Sequence, residues 1–136
     1  MKGADAMSYA MTTRVPAGFA PTLERVRAAL KDQGFGVLTE IDLRATLRDK
    51  LGVDLADYVI LGACNPPLAH RAVRADPAIG LLLPCNVVVR ADGPDGTVVQ
   101  AMDPQVMVRL SEEPELRAVA DEAAARLRAA LDAVTA

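Results

Sequence analysis

Tyr58-Val59-Ile60-Leu61-Gly62-Ala63-Cys64-Asn65-Pro66-Pro67 sets the pattern for the whole chain. Its first six residues are apolar, and the run is short and β-rich at its start, which predicts a strand inside a sheet. Asn65 is a strong helix N-cap and proline is tolerated in the first helical turn, so Asn65-Pro66-Pro67 opens a helix. Leu68, Ala69, Ala72 and Val73 form the stripe expected to be buried, and Asp76-Pro77 stops the helix.

Downstream, residues 79–90 read as a strand paired with residues 97–102 around the loop Ala91-Asp92-Gly93-Pro94-Asp95-Gly96. Pro84 has no ladder donor, so a bulge or an edge position is expected there. Two strands joined through a helix usually run parallel. On that reading Cys64 and Cys85 leave the same end of the sheet, where open parallel sheets commonly bind ligands. A last helix begins near Ser111, with Glu112, Glu113 and Glu115 at the positive end of its dipole. Leu116, Ala120, Ala123, Leu127, Leu131 and Val134 keep a 3–4 spacing along it.

Upstream, residues 8–15 read as a strand in which Tyr9, Met11 and Thr13 alternate with smaller residues. Pro16, Gly18 and Pro21 mark a turn. A helix follows to about Gln33, with Leu23, Val26 and Leu30 on one face and Gly34 as its left-handed stop. Residues 35–41 form the next strand. Asp42 caps a short helix whose Leu43, Leu47 and Leu51 share a face, and Gly52 ends it. The order is βαβαβαββα, an α+β chain. Residues 1–7 are expected to be a flexible tail and residues 8–136 a single domain.

Composition bounds the function classes. The chain has 136 residues, of which 51% are apolar but only 3% aromatic, so Ala, Val and Leu must fill the core. Fifteen basic against eighteen acidic residues give a net charge of −3. With no basic patch, nucleic acid is not an expected partner. No apolar run approaches the roughly 20 residues of a membrane-spanning helix, and residues 1–10 lack a signal-peptide core, so a cytoplasmic location without membrane attachment is expected. Two cysteines in a reducing compartment argue against a disulfide framework.

Cys64, between a strand and the N-cap Asn65, lies where backbone N–H groups and the helix dipole stabilise a thiolate or a bound anion. Cys85, in Leu83-Pro84-Cys85-Asn86, falls in a second strand. The plainer reading is that both pack as small hydrophobes. No metal site is expected: Cys64, Cys85 and His70 include no C-x-x-C or H-x-x-x-H pair, and His70 points with Arg74 away from the buried stripe. Glu40 and Asp42 share a strand end, but an edge residue and an N-cap account for them. No G-x-S-x-G, Walker or G-x-G-x-x-G motif specifies a reaction or a cofactor. Gly34-Phe35-Gly36 is too short a match for a phosphate loop.

Three blocks also carry a family pattern: residues 34–42 (GFGVLTEID), 60–66 (ILGACNP) and 80–87 (GLLLPCNV). In order and spacing they resemble the family called domain of unknown function 302 (DUF302), over about residues 8–110. The resemblance implies a two-layer fold like that of the TATA-box-binding protein, with a curved, mostly antiparallel sheet packed against helices, and it implies homodimers. It implies no DNA binding, because fold does not fix function. It tempers the parallel crossover above, and it matches both Cys-Asn pairs, Cys64-Asn65 and Cys85-Asn86. The Ala-rich C-terminal helix is longer than the motif requires.

Three function classes follow. Ranked first is a homodimeric module binding a small molecule or anion near Cys64, Asn65, Cys85 and Asn86. Second is a thiol-dependent redox or sulfur-handling protein using Cys64 and Cys85. Third is a structural or regulatory dimer without a small ligand.

Overall fold

Alternation of small β-branched residues with polar ones sorts the strands into two faces. The computed structural model describes residues 8–135, so the expected tail at 1–7 lies outside the described residues. Its strands are β1 (Ala10–Val15), β2 (Gly36–Asp42), β3 (Tyr58–Cys64), β4 (Cys85–Ala91) and β5 (Thr97–Met102). They form one open sheet in the order β1-β5-β4-β3-β2, with every neighbouring pair antiparallel. Five helices complete the described chain: α1 (Phe19–Asp32), α2 (Leu43–Leu51), α3 (Pro66–Ala75), α4 (Gln105–Leu110) and α5 (Leu116–Thr135). A 3-10 helix spans Pro77–Leu82. The architecture is α+β, as the sequence predicts.

Val59, Leu61 and Ala63 of β3, Cys85, Val87 and Val89 of β4, and Val99 and Ala101 of β5 turn toward the helices. They meet Val26, Ala29 and Leu30 of α1 and Leu127, Ala130, Leu131 and Val134 of α5 in the main core. A second cluster joins Leu68 and Ala72 of α3 and Met107 of α4 to Leu116, Val119, Ala120 and Ala123 of α5. The stripe predicted for the last helix is therefore buried along its whole length.

Several expectations are corrected. β3 and β4 are antiparallel, because the chain between them folds as a helix plus a 3-10 turn and returns at the end where β3 stopped. The strand expected at 79–90 begins only at Cys85. Asp76 both ends α3 and caps the 3-10 helix, its side chain accepting the Ala78 N–H at 3.0 Å, and this local bond wins over strand propensity. Pro84 thus precedes β4, which lies mid-sheet rather than at an edge, and the Leu83–Pro84 peptide is cis.

The last helix does not start at Ser111. A separate short helix, α4, comes first, and α5 begins at Leu116, beyond Glu112, Glu113 and Glu115. Val73 is exposed and Ala69 half-buried, so the α3 stripe is narrower than expected, and α2 buries none of its leucines. Asp42 caps α2 through the Ala45 N–H at 2.9 Å, and Gly52 ends it in the left-handed conformation, as read from sequence.

Leu127 has no exposed surface and lies where α5 crosses the sheet, whereas Arg128 is exposed. Leu127→Ala is expected to cost about 2–5 kcal/mol in a urea unfolding experiment. Arg128→Ala should stay within about 0.5 kcal/mol of the parent. Equal midpoint shifts would mean that the α5 register is wrong.

Candidate functional site

Cys64 closes β3 and Cys85 opens β4; the ladder pairs Ala63 with Cys85, so the two cysteines share one end of the sheet. That outcome matches the sequence expectation, although it arises from an antiparallel pair. Both line a small cavity of about 30 Å³ at the seam between the two core clusters. Phe35 and Ala63 wall it on the sheet side, Leu68 and Ala72 from α3, and Met107, Val119 and Ala123 from α4 and α5. A space of this size holds about two waters or a few heavy atoms.

Phe35 reaches the cavity because α1 ends in a Schellman turn. The Phe35 N–H donates to the Leu30 carbonyl at 2.9 Å and the Gly34 N–H to Lys31 at 3.0 Å, with Gly34 at φ +84°. Gly34 packs tightly against Asn65: a Cβ there would lie 3.1 Å from Asn65 Nδ2. On the outer side of this turn, Arg126 Nη1 donates to the Gln33 carbonyl at 3.3 Å, and its Nε faces Glu122 at 3.4 Å. Glu122 also accepts from Arg71 at 3.0 Å; that bond first, and Arg126 after it, hold its carboxyl below the ordinary carboxylate range.

The electrostatics differ from the expectation for Cys64. Pro66 and Pro67 occupy the first turn of α3 and have no N–H to offer. Leu68 N–H is taken by Asn65 Oδ1 at 3.3 Å, and Ala69 N–H makes the first intrahelical bond, to the Asn65 carbonyl at 2.9 Å. Of the free amides at this helix end only the Asn65 N–H is left, and the Asn65 side chain adds Nδ2. Asn65 is only 9% exposed and lines the cavity, and its Nδ2 donates to no protein acceptor among the described residues. Cys85 is buried, which pushes its thiol up to about 11; the nearby Cys64 adds to the effect. Cys64 itself is half-buried.

Asn86 does not join the other three candidates. It follows Cys85 by one residue, so strand alternation turns it to the opposite, open face of the sheet, where it lines a groove with Thr12, Val88 and Gln100. His70 is exposed on α3. Glu40 is ion-paired with Arg27, and Asp42 serves as the α2 cap. Among the described residues, no three His, Cys, Asp or Glu side chains gather as metal ligands. Sequence reasoning missed Met107, because α4 was not foreseen. Asp103-Pro104 was the available signal: the Asp103 side chain accepts the Gln105 N–H at 2.9 Å and starts that helix.

Among the described residues, no helix is long and apolar enough to cross a membrane. Comparison with curated proteins gives no match. The crystal structure of the uncharacterized conserved protein DUF302 from Bacillus stearothermophilus is similar at a TM-score of 0.84 and 33% identity, over 92% of this chain and 97% of that one. A family model described as domain of unknown function DUF302 matches residues 11–134, nearly all of the described fold. The chain that builds this seam cavity belongs to the DUF302 family.

Proposed function

We propose that this protein binds a small, neutral molecule that carries one hydrogen-bond acceptor, with its apolar part in the cavity beside Cys64, Asn65 and Cys85. The observation that carries this reading is the side-chain amide of Asn65, a mostly buried residue in an otherwise apolar pocket, whose Nδ2 keeps contact with solvent and donates to no protein acceptor among the described residues. A ligand acceptor that replaces solvent at this donor adds one neutral hydrogen bond, worth about 0.5–1.5 kcal/mol. With prolines at two of the amide positions and the Leu68 amide already bonded, the pocket favours a carbonyl-type acceptor over the anion first considered. The protein works in the cytoplasm on this reading, where both thiols remain reduced.

Saturation-transfer NMR with a panel of small ketones, amides and thiols tests it. Asn65→Asp keeps the side-chain oxygen that caps α3 and removes the amide donor. It is expected to weaken binding about 3- to 10-fold, the value of one neutral hydrogen bond. Absence of binding in the reduced protein, or equal affinity of the variant, would defeat the reading.

The two thiols should also separate chemically. Native-state alkylation with iodoacetamide, read by mass spectrometry, is expected to modify Cys64 first. Cys85 should remain unmodified until the pH approaches its raised value of about 11. Prior reaction at Cys85 would show that the cavity opens on the other side.

A second copy of the chain is the proposed partner. β2 is an edge strand with Leu38 at 66% and Ile41 at 46% exposure, and Leu51, just after it on α2, stands at 70%. Apolar side chains on an unpaired edge call for a cover. Light scattering at micromolar concentration is expected to give twice 14.3 kDa, and Leu38→Lys to return the monomer mass. A monomer mass for the parent protein would refute the dimer.

A further inference from the structure

The cysteines have a geometry that ligand binding alone does not require. Ala63 pairs with Cys85, so Cys64 lies one step beyond that pair on the neighbouring strand. With strands about 4.8 Å apart and a rise of about 3.4 Å per residue, their Cα atoms are separated by about 6 Å. Disulfides bridge Cα separations of roughly 4.4–6.8 Å. Successive strand residues ordinarily face opposite ways, but Cys64 is the last residue of β3, and both cysteines border the same cavity.

We propose that Cys64 and Cys85 form a dithiol–disulfide couple that is oxidised by low-molecular-weight disulfides and that closes the cavity when it forms. This goes beyond the binding reading and shares only its location. The Cys64 thiolate attacks one sulfur of the disulfide RSSR, which forms a Cys64–S–S–R bond and releases RS⁻. Cys85 then gives its proton to solvent and attacks Cys64 Sγ, releasing the second RS⁻. In sum, two protein thiols and RSSR give one protein disulfide and two RSH. The released thiolate takes up a proton in each step, so atoms and electrons balance.

The order of attack follows from the site. Cys64 is half-buried, whereas Cys85 is buried and keeps its proton to high pH. Closure is therefore the slow step and should accelerate by about tenfold per pH unit as the pH rises toward that value. In a cytosol such a bond is transient, as redox-sensing disulfides are.

The test is incubation of the reduced protein with bis(2-hydroxyethyl) disulfide, without other ligand, followed by iodoacetamide blocking and intact mass measurement. The expected product is lighter by two hydrogens, takes up no iodoacetamide, and yields a linked pair of peptides containing residues 64 and 85. Cys85→Ser should stop at one mixed disulfide on Cys64, and Cys64→Ser should remain unmodified while folded. A parent protein that keeps an open mixed disulfide, forms only cross-links between chains, or does not react would overturn the couple. Because this readout involves no bound ligand, its failure would leave the Asn65 binding result untouched, and the reverse also holds.

Discussion

One constraint organises the molecule: a single helix must bury two different clusters. The 20 residues of α5 extend about 30 Å. Its first half, from Leu116 to Ala123, closes the cluster with α3 and α4. Its second half, from Leu127 to Val134, lies on the sheet against α1. Between the two halves the packing changes partners, and a seam results. Larger aromatic side chains would fill such a seam, but this chain has four aromatic residues, two Phe and two Tyr. Alanines at 63, 72 and 123 let the backbones approach without filling the gap. The same composition leaves a smaller void of about 10 Å³ in the main core under α1 and α5, lined only by apolar residues. Of these two voids, the seam one carries the thiols and an amide.

The sheet's other face follows from the same economy. α1 and α5 pack on one side, and the alternating residues Thr12, Gln100 and Val88 are left on the other beside Asn86. A Gln100 amide donating to Thr12 at 3.2 Å, and an Arg90 Nε donating to Gln100 at 3.3 Å, tie this face together across three strands. Gly62 is the close-packing point. A Cβ there would fall 2.2 Å from Thr39 Oγ1 and 2.9 Å from Pro84, so glycine lets β2 and the approach to β4 lie flat against β3.

Local chemistry was legible in the sequence and long-range geometry was not. Asn65, Asp42, Gly34 and Gly52 act as caps and stops because each acts within four residues of itself. The α5 stripe was legible because a 3–4 spacing over many turns has one explanation. The direction of β4 was not, since it depends on how the segment after Asp76 folds, and that apolar segment reads equally as strand or turn. Its 3-10 helix is decided by the Asp76 carboxylate, which satisfies the Ala78 N–H and also accepts from Ser111 Oγ at 2.7 Å, a contact 35 residues away. The separation of Asn86 from Cys85 was available from strand alternation alone. The repeated Cys-Asn pair obscured it by suggesting that two similar dipeptides do similar work.

Asn65 shows how a small change in local accounting alters the chemistry of a site. A helix N-terminus usually presents free amides and a positive dipole end, which together favour anions. Here two prolines remove two of the four free amides and the Asn65 side-chain oxygen takes that of Leu68, which leaves only the Asn65 N–H. Little is left at this helix end through which an anion could be held. Asn65, with a neutral side-chain amide, borders a pocket whose buried Cys85 thiol stays protonated at neutral pH. With no charge at either side of the space, taking a charged group out of water would go uncompensated there. On the binding reading proposed above, the sequence Cys-Asn-Pro-Pro shifts the preference of this helix end from anions toward neutral molecules with a hydrogen-bond acceptor.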